Sequence, residues 1–106
     1  MAVDYEAANK TVKSYVADVK SAMPIDYAYL YGSYAKGTAT EHSDIDICFF
    51  SRSFENLTSV EIMSKLFRLT RKYKGIDIEP HGFPTSDLTN DNPFVKEILR
   101  TGREII

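Results

Sequence analysis

Two short stretches of this chain set acids and isoleucines in strict alternation: Asp44-Ile45-Asp46-Ile47 and Ile76-Asp77-Ile78-Glu79. A repeat of two is the repeat of a β-strand, so each stretch sends its isoleucines to one face and its carboxylates to the other. The chain must therefore build a sheet with one apolar face and find a use for an acidic one. At ~3.3 Å rise per residue, the Cβ atoms of Asp44 and Asp46 stand ~7 Å apart, so their carboxylates can share one cation or flank two. If the two strands are neighbours, three or four carboxylates converge. Like charges held that close raise one another's pKa unless a cation sits among them. One such strand is as readily the solvated face of a half-covered sheet. Two of them, with a Gly-Ser turn ahead of the first, favour a cation site, and hard oxygen donors suit Mg²⁺ or Mn²⁺ rather than zinc.

The rest of the chain supplies elements to cover that sheet. Val12, Tyr15, Val16, Val19 and Met23 recur at helical spacing, and Pro24 ends that pattern. Ile25 to Tyr31 alternates as a strand, Gly32-Ser33 breaks it, and Tyr34-Ala35-Lys36 forms a short helical turn before a polar loop over 37–43. The acidic strand of 44–50 follows. Thr58-Ser59-Val60-Glu61 reads as a capping box ahead of an apolar helical face that Gly75 is placed to stop. Ile76 to Glu79 is a third strand closed by Pro80. Asn92-Pro93 starts a last helix that Gly102 ends, and 103–106 can add a strand. The order α-β-turn-β-α-β-α-β predicts an α/β (α+β) fold, a small mixed β-sheet flanked by helices. Its first two strands run antiparallel because their connection is short.

With 106 residues the chain has room for one domain, 1–106, and one core. Its net charge of -2 argues against binding nucleic acid through a broad basic surface, so a phosphate ligand needs a local device. The single cysteine, Cys48, allows no internal disulfide and reads as packing. No segment has the ~18 apolar residues that argue for a membrane span, and the N-terminus has no apolar signal core, which predicts a soluble, cytoplasmic protein. His42 and His81 flank the acidic strands and read as surface or hydrogen-bonding residues. Arg68, Arg71, Lys72 and Lys74 complement the end of the long central helix.

Gly32 lets the backbone turn sharply and approach a ligand, and Ser33 with the amides after it can donate to an anion. A triphosphate needs such a cradle at one end and a divalent cation at the other. Gly32-Ser33, ten intervening residues and then Asp44-Ile45-Asp46 resembles the signature of the DNA-polymerase-β-like nucleotidyltransferases. The run GSYAKGTATEHSDIDI, with Ala35, Lys36, Gly37 and Ser43 in place, is similar to their minimal nucleotidyltransferase branch.

The resemblance implies that Asp44 and Asp46 hold two Mg²⁺ ions, Mn²⁺ being the alternative, and that a third acid on the later strand completes the catalytic set. Asp77 matches that position, with Glu79 in reserve on the same face. It assigns Gly32, Ser33, Lys36 and Ser43 to the nucleotide. With no second domain, the acceptor is expected on a partner. In the minimal branch that partner is a small helical HEPN toxin, and the nucleotidyltransferase acts as antitoxin by moving AMP from ATP to a toxin tyrosine, as a hetero-oligomer. The alternative is a non-catalytic antitoxin or nucleotide-binding module that neutralises its partner by complex formation.

Overall fold

A computed structural model describes residues 3–106. Helix α1 (Tyr5–Ala22) leads to strand β1 (Tyr27–Tyr31) and the single-turn helix α2 (Ser33–Lys36). Strand β2 (Ile45–Ser51), helix α3 (Ser59–Arg68) and strand β3 (Ile78–Pro84) follow, then helix α4 (Pro93–Thr101) and the two-residue strand β4 (Arg103–Glu104). The sheet order is β3-β2-β1-β4, with β1 antiparallel to β2 and β4, and β2 parallel to β3. The expected mixed sheet, antiparallel first pair and terminal strand are all present. No described helix is long and apolar enough to cross a membrane.

The helix starts follow from their caps. Asp4 accepts the Ala7 N–H at 3.0 Å to open α1. At α3 both halves of the capping box form: Glu61 N–H donates to Thr58 Oγ1 at 3.1 Å and Thr58 N–H donates to Glu61 Oε1 at 3.0 Å. Asn92 Oδ1 accepts from Phe94 and Val95 N–H above the first-turn Pro93 of α4.

Strand β1 opens at Tyr27 rather than Ile25 and β3 at Ile78 rather than Ile76, which leaves Asp77 just ahead of its strand. Two further boundaries differ from expectation for clear physical reasons. Helix α3 stops at Arg68 rather than continuing to Gly75. Both the N–H and the hydroxyl of Thr70 donate to the Phe67 carbonyl, and Tyr73 N–H donates to the Thr70 carbonyl, so the chain tightens into successive turns. Gly75, at φ +87°, serves the turn into β3 instead. Pro80 does not close the third strand but lies inside it. The Ile45 N–H donates to the Asp77 carbonyl at 2.8 Å. In the parallel register Ile45↔Ile78 this turns the amides of Glu79, His81 and Phe83 toward β2. Pro80 and Pro84 therefore fall on the outer edge, where a missing N–H breaks no ladder bond.

The sheet is covered on both sides. Ala28, Leu30, Ile45, Ile47, Phe49 and Ile78 pack with α1 and α3 into the main core. There the buried Tyr15 hydroxyl donates to the Leu66 carbonyl at 2.7 Å. On the other face Cys48 and Phe50 meet Val95 and Ile98 of α4. Helix α4 leaves uncovered the end of that face where β2 and β3 begin, and the acids lie there.

Candidate active site

The site is organised around Asp46. Its neighbours in register are Tyr31 on β1 and Glu79 on β3, and Asp44 lies two residues back on the same face. Burial, then Glu79, then Asp44 push the Asp46 carboxyl up from 3.8 to about 6. Continuing the register back by one position sets Asp44 beside Asp77, both exposed at the heads of their strands. The expected neighbouring of the two acidic strands is thus realised, and Glu79 rather than Asp77 stands next to Asp46.

Gly32, between β1 and α2, has φ +73° and ψ -156°, a conformation open in practice to glycine alone. A Cβ placed there would lie 2.3 Å from Asp46 Oδ2. The backbone turn and the central carboxylate are therefore packed directly on one another, which ties the Gly-Ser signature to the Asp-Ile-Asp signature in space. Ser33 opens α2, whose chain is held by Ala35 and Lys36 N–H donating to the Gly32 carbonyl at 3.1 Å. Lys36 is exposed on the last turn of α2. The Ser43 hydroxyl accepts the Thr40 N–H at 2.9 Å, so it shapes the loop that returns the chain to β2.

Asp44, Asp77 and Glu79 line a cleft of about 460 Å³ together with Phe67, Tyr73 and Ile76, while Asp46 and Gly32 lie outside its lining. Among the described residues, no three His, Cys, Asp or Glu side chains meet as a ready-made metal-binding group. Asp44, Asp77 and Glu79 stand along the cleft with Asp46 next to Glu79 in register, and burial first, then the charges of Glu79 and Asp44, hold the Asp46 carboxyl up. A hard divalent cation fits such a donor set. His42 is exposed beside Glu41. Cys48 is buried, and burial pushes its thiol up, as expected of a packing residue.

Sequence reasoning gave Tyr31 and Phe94 no part in the site and read His81 as a surface or hydrogen-bonding residue. The structure gathers these three rings below the carboxylates, with centroids 5.6–6.3 Å apart. The signal lay in strand parity: Tyr31 shares its face with Tyr29, and His81 shares one with Glu79. The arrival of Phe94 depends on how α4 docks, which no local pattern encodes.

Comparison with known proteins agrees with this geometry. Residues 10–106 match the family described as "Polymerase beta, Nucleotidyltransferase". No curated protein matches the sequence. Among solved structures, a protein of Sulfolobus solfataricus assigned as a nucleotidyltransferase superposes with a TM-score of 0.62. The two are 23% identical over 90% of this chain and 76% of that one, a likeness of fold. With Gly32 packed on Asp46 and the family match running over residues 10–106, this chain belongs to the polymerase-β nucleotidyltransferase family.

Proposed function

We propose that the chain transfers AMP from ATP to a hydroxyl acceptor, and that the acceptor is a tyrosine of a small helical HEPN toxin, which the transfer neutralises. The observation that carries the nucleotide-transfer part is the packing of Gly32 against Asp46 Oδ2, with Glu79 next in register. One device thereby joins a phosphate-binding turn to a set of carboxylates. The toxin and its tyrosine rest on the resemblance of Gly32 to Ile47 to the minimal branch.

In this reading Ser33 and the first amides of α2 receive the terminal phosphates, with Lys36 at the rim. Asp44, Asp46 and Glu79 would hold divalent cations, which when bound supply charge neutralisation at the α-phosphate and the pyrophosphate. Glu79 takes the third-acid role in place of Asp77 because it stands beside Asp46. Its exposed carboxylate is placed to receive an acceptor hydroxyl entering from the sheet edge. The acceptor oxygen attacks the α-phosphorus, the bond to the β-phosphate breaks, and pyrophosphate leaves. The second reading, neutralisation by binding alone, draws on the spread of the carboxylates, which form no ready-made metal group among the described residues.

The test is to incubate the protein with Mg²⁺, ATP and the product of an adjacent reading frame, then to weigh the intact partner. A gain of one AMP, abolished by Asp46→Asn and cut further by Glu79→Gln than by Asp77→Asn, is expected. No gain, with toxicity still suppressed by Asp44→Asn/Asp46→Asn, establishes the binding reading instead.

A further inference from the structure

Three rings from three elements converge beside the carboxylates. Tyr31, the last residue of β1, stands opposite Asp46; His81 on β3 is two positions beyond Glu79; and Phe94 comes from the first turn of α4. The Phe94 ring lies 5.8 Å from Tyr31 at 89° and 5.6 Å from His81 at 59°, and Phe83 backs it at 5.7 Å. Deeper along the same face, Cys48, Phe50, Val95 and Ile98 are all but inaccessible. Phe94 keeps 42% of its surface exposed, and Tyr31 and His81 are only partly covered. Val95 and Ile98 provide the buried anchor of α4, and Phe94 packs on the neighbouring rings while leaving part of its own ring open. His81 Nε2 lies 3.9 Å from Glu79 Oε1, which sets the shelf beside the acids.

We propose that Tyr31, His81 and Phe94 form a stacking shelf for a planar aromatic ring held next to Asp46 and Glu79. The inference rests on the nucleotide-transfer reading for the two rings that can reach it: the base of the nucleotide donor, or the ring of a phenolic acceptor. Both are flat, polarisable and polar at one edge, which matches a surface of ring edges and faces bordered by carboxylates. The shelf would hold that ring through its face, and the carboxylates would meet the polar atoms it carries.

The chain has no tryptophan, so Phe94→Trp places one fluorophore on the shelf. Mg·ATP and Mg·tripolyphosphate are titrated as one pair, N-acetyl-tyrosinamide and N-acetyl-serinamide as the other. Quenching by ATP but not tripolyphosphate identifies the donor base as the occupant; quenching by the tyrosine but not the serine amide identifies the acceptor ring. In the otherwise native chain, Phe94→Ala is expected to weaken the ring-bearing probe by roughly 5- to 150-fold, the range of a lost stacking contact, and to leave its ringless counterpart unchanged. Phe94→Leu, which keeps apolar area without a ring, should recover only a minor part. The proposal is overturned if neither ring-bearing probe quenches, if ring-bearing and ringless probes weaken alike, or if Phe94→Leu binds as the native chain does. Ring binding without AMP transfer would refute the transfer reading alone. Transfer with ring binding unmoved by Phe94→Ala would refute the shelf alone.

Discussion

Replacing Gly32 by alanine tests the junction between the two halves of the site. The native φ of +73° and ψ of -156° lie where only glycine is at ease, so any side chain costs ~1–3 kcal/mol in backbone strain alone. The new Cβ would also sit 2.3 Å from Asp46 Oδ2 and 3.3 Å from Asp46 Cγ, forcing that carboxyl to rotate away. In an Asp46→Ala background both atoms are gone, and the remaining contact, 3.5 Å to Asp46 Cβ, is ordinary. The double-mutant cycle therefore separates the two contributions: strain persists in both backgrounds, while the collision appears as a coupling energy of ~0.5–3 kcal/mol. Urea unfolding at constant m-value measures each corner. The reasoning fails if Gly32→Ala lies within ~0.5 kcal/mol of the native chain. It also fails if the cost of Gly32→Ala is unchanged when Asp46 is alanine.

Three further outcomes are expected. The folded Asp46 carboxyl holds its proton up to about 6 against 3.8 ordinarily, so the folded state binds more protons across that window and loses stability as pH rises through it. Asp46→Asn should thus stabilise the metal-free protein at neutral pH by ~1 kcal/mol after allowance for solvent screening, with the gain gone below pH ~4. Added Mg²⁺ should raise the melting temperature of the native chain more than that of the variant, and equal shifts would refute the cation assignment. Gly82→Ala would put a Cβ 2.5 Å from Ile62 Cγ2 and 3.0 Å from Leu66 Cδ1, and should destabilise by ~1–3 kcal/mol in thermal melts. Tyr15→Phe removes the buried donor to the Leu66 carbonyl and should cost ~0.5–1.5 kcal/mol in urea, a neutral result showing that carbonyl to be satisfied without it.

What the sequence disclosed depended on whether the controlling interaction was local. The capping box at Thr58 and Glu61, the Asn92-Pro93 start of α4 and the alternation of β1 and β2 are all set by residues within a few positions of one another. Those were legible. The end of α3 was not, because the backward hydrogen bonds of Thr70 outweigh the apolar spacing that continues to Leu69. Pro80 misled because a proline ends a central strand but is harmless on the outward side of an edge strand, and which side it takes depends on register with β2. The same dependence decided which acid neighbours Asp46. Asp77 and Glu79 share a face, and only the pairing of Ile45 with Ile78 places Glu79 at that position.

The two prolines of β3 also govern what the open side of the sheet can join. Along that margin the outward-pointing residues are Ile78, Pro80, Gly82 and Pro84, so two of the four backbone donors another strand would need do not exist. A foreign segment laid against β3 could form only a broken ladder. This margin is therefore a poor template for zipping one copy of the chain to the next, although it is the margin that carries Glu79. The acidic cleft can thus face solvent without the covering segment that an exposed strand commonly requires.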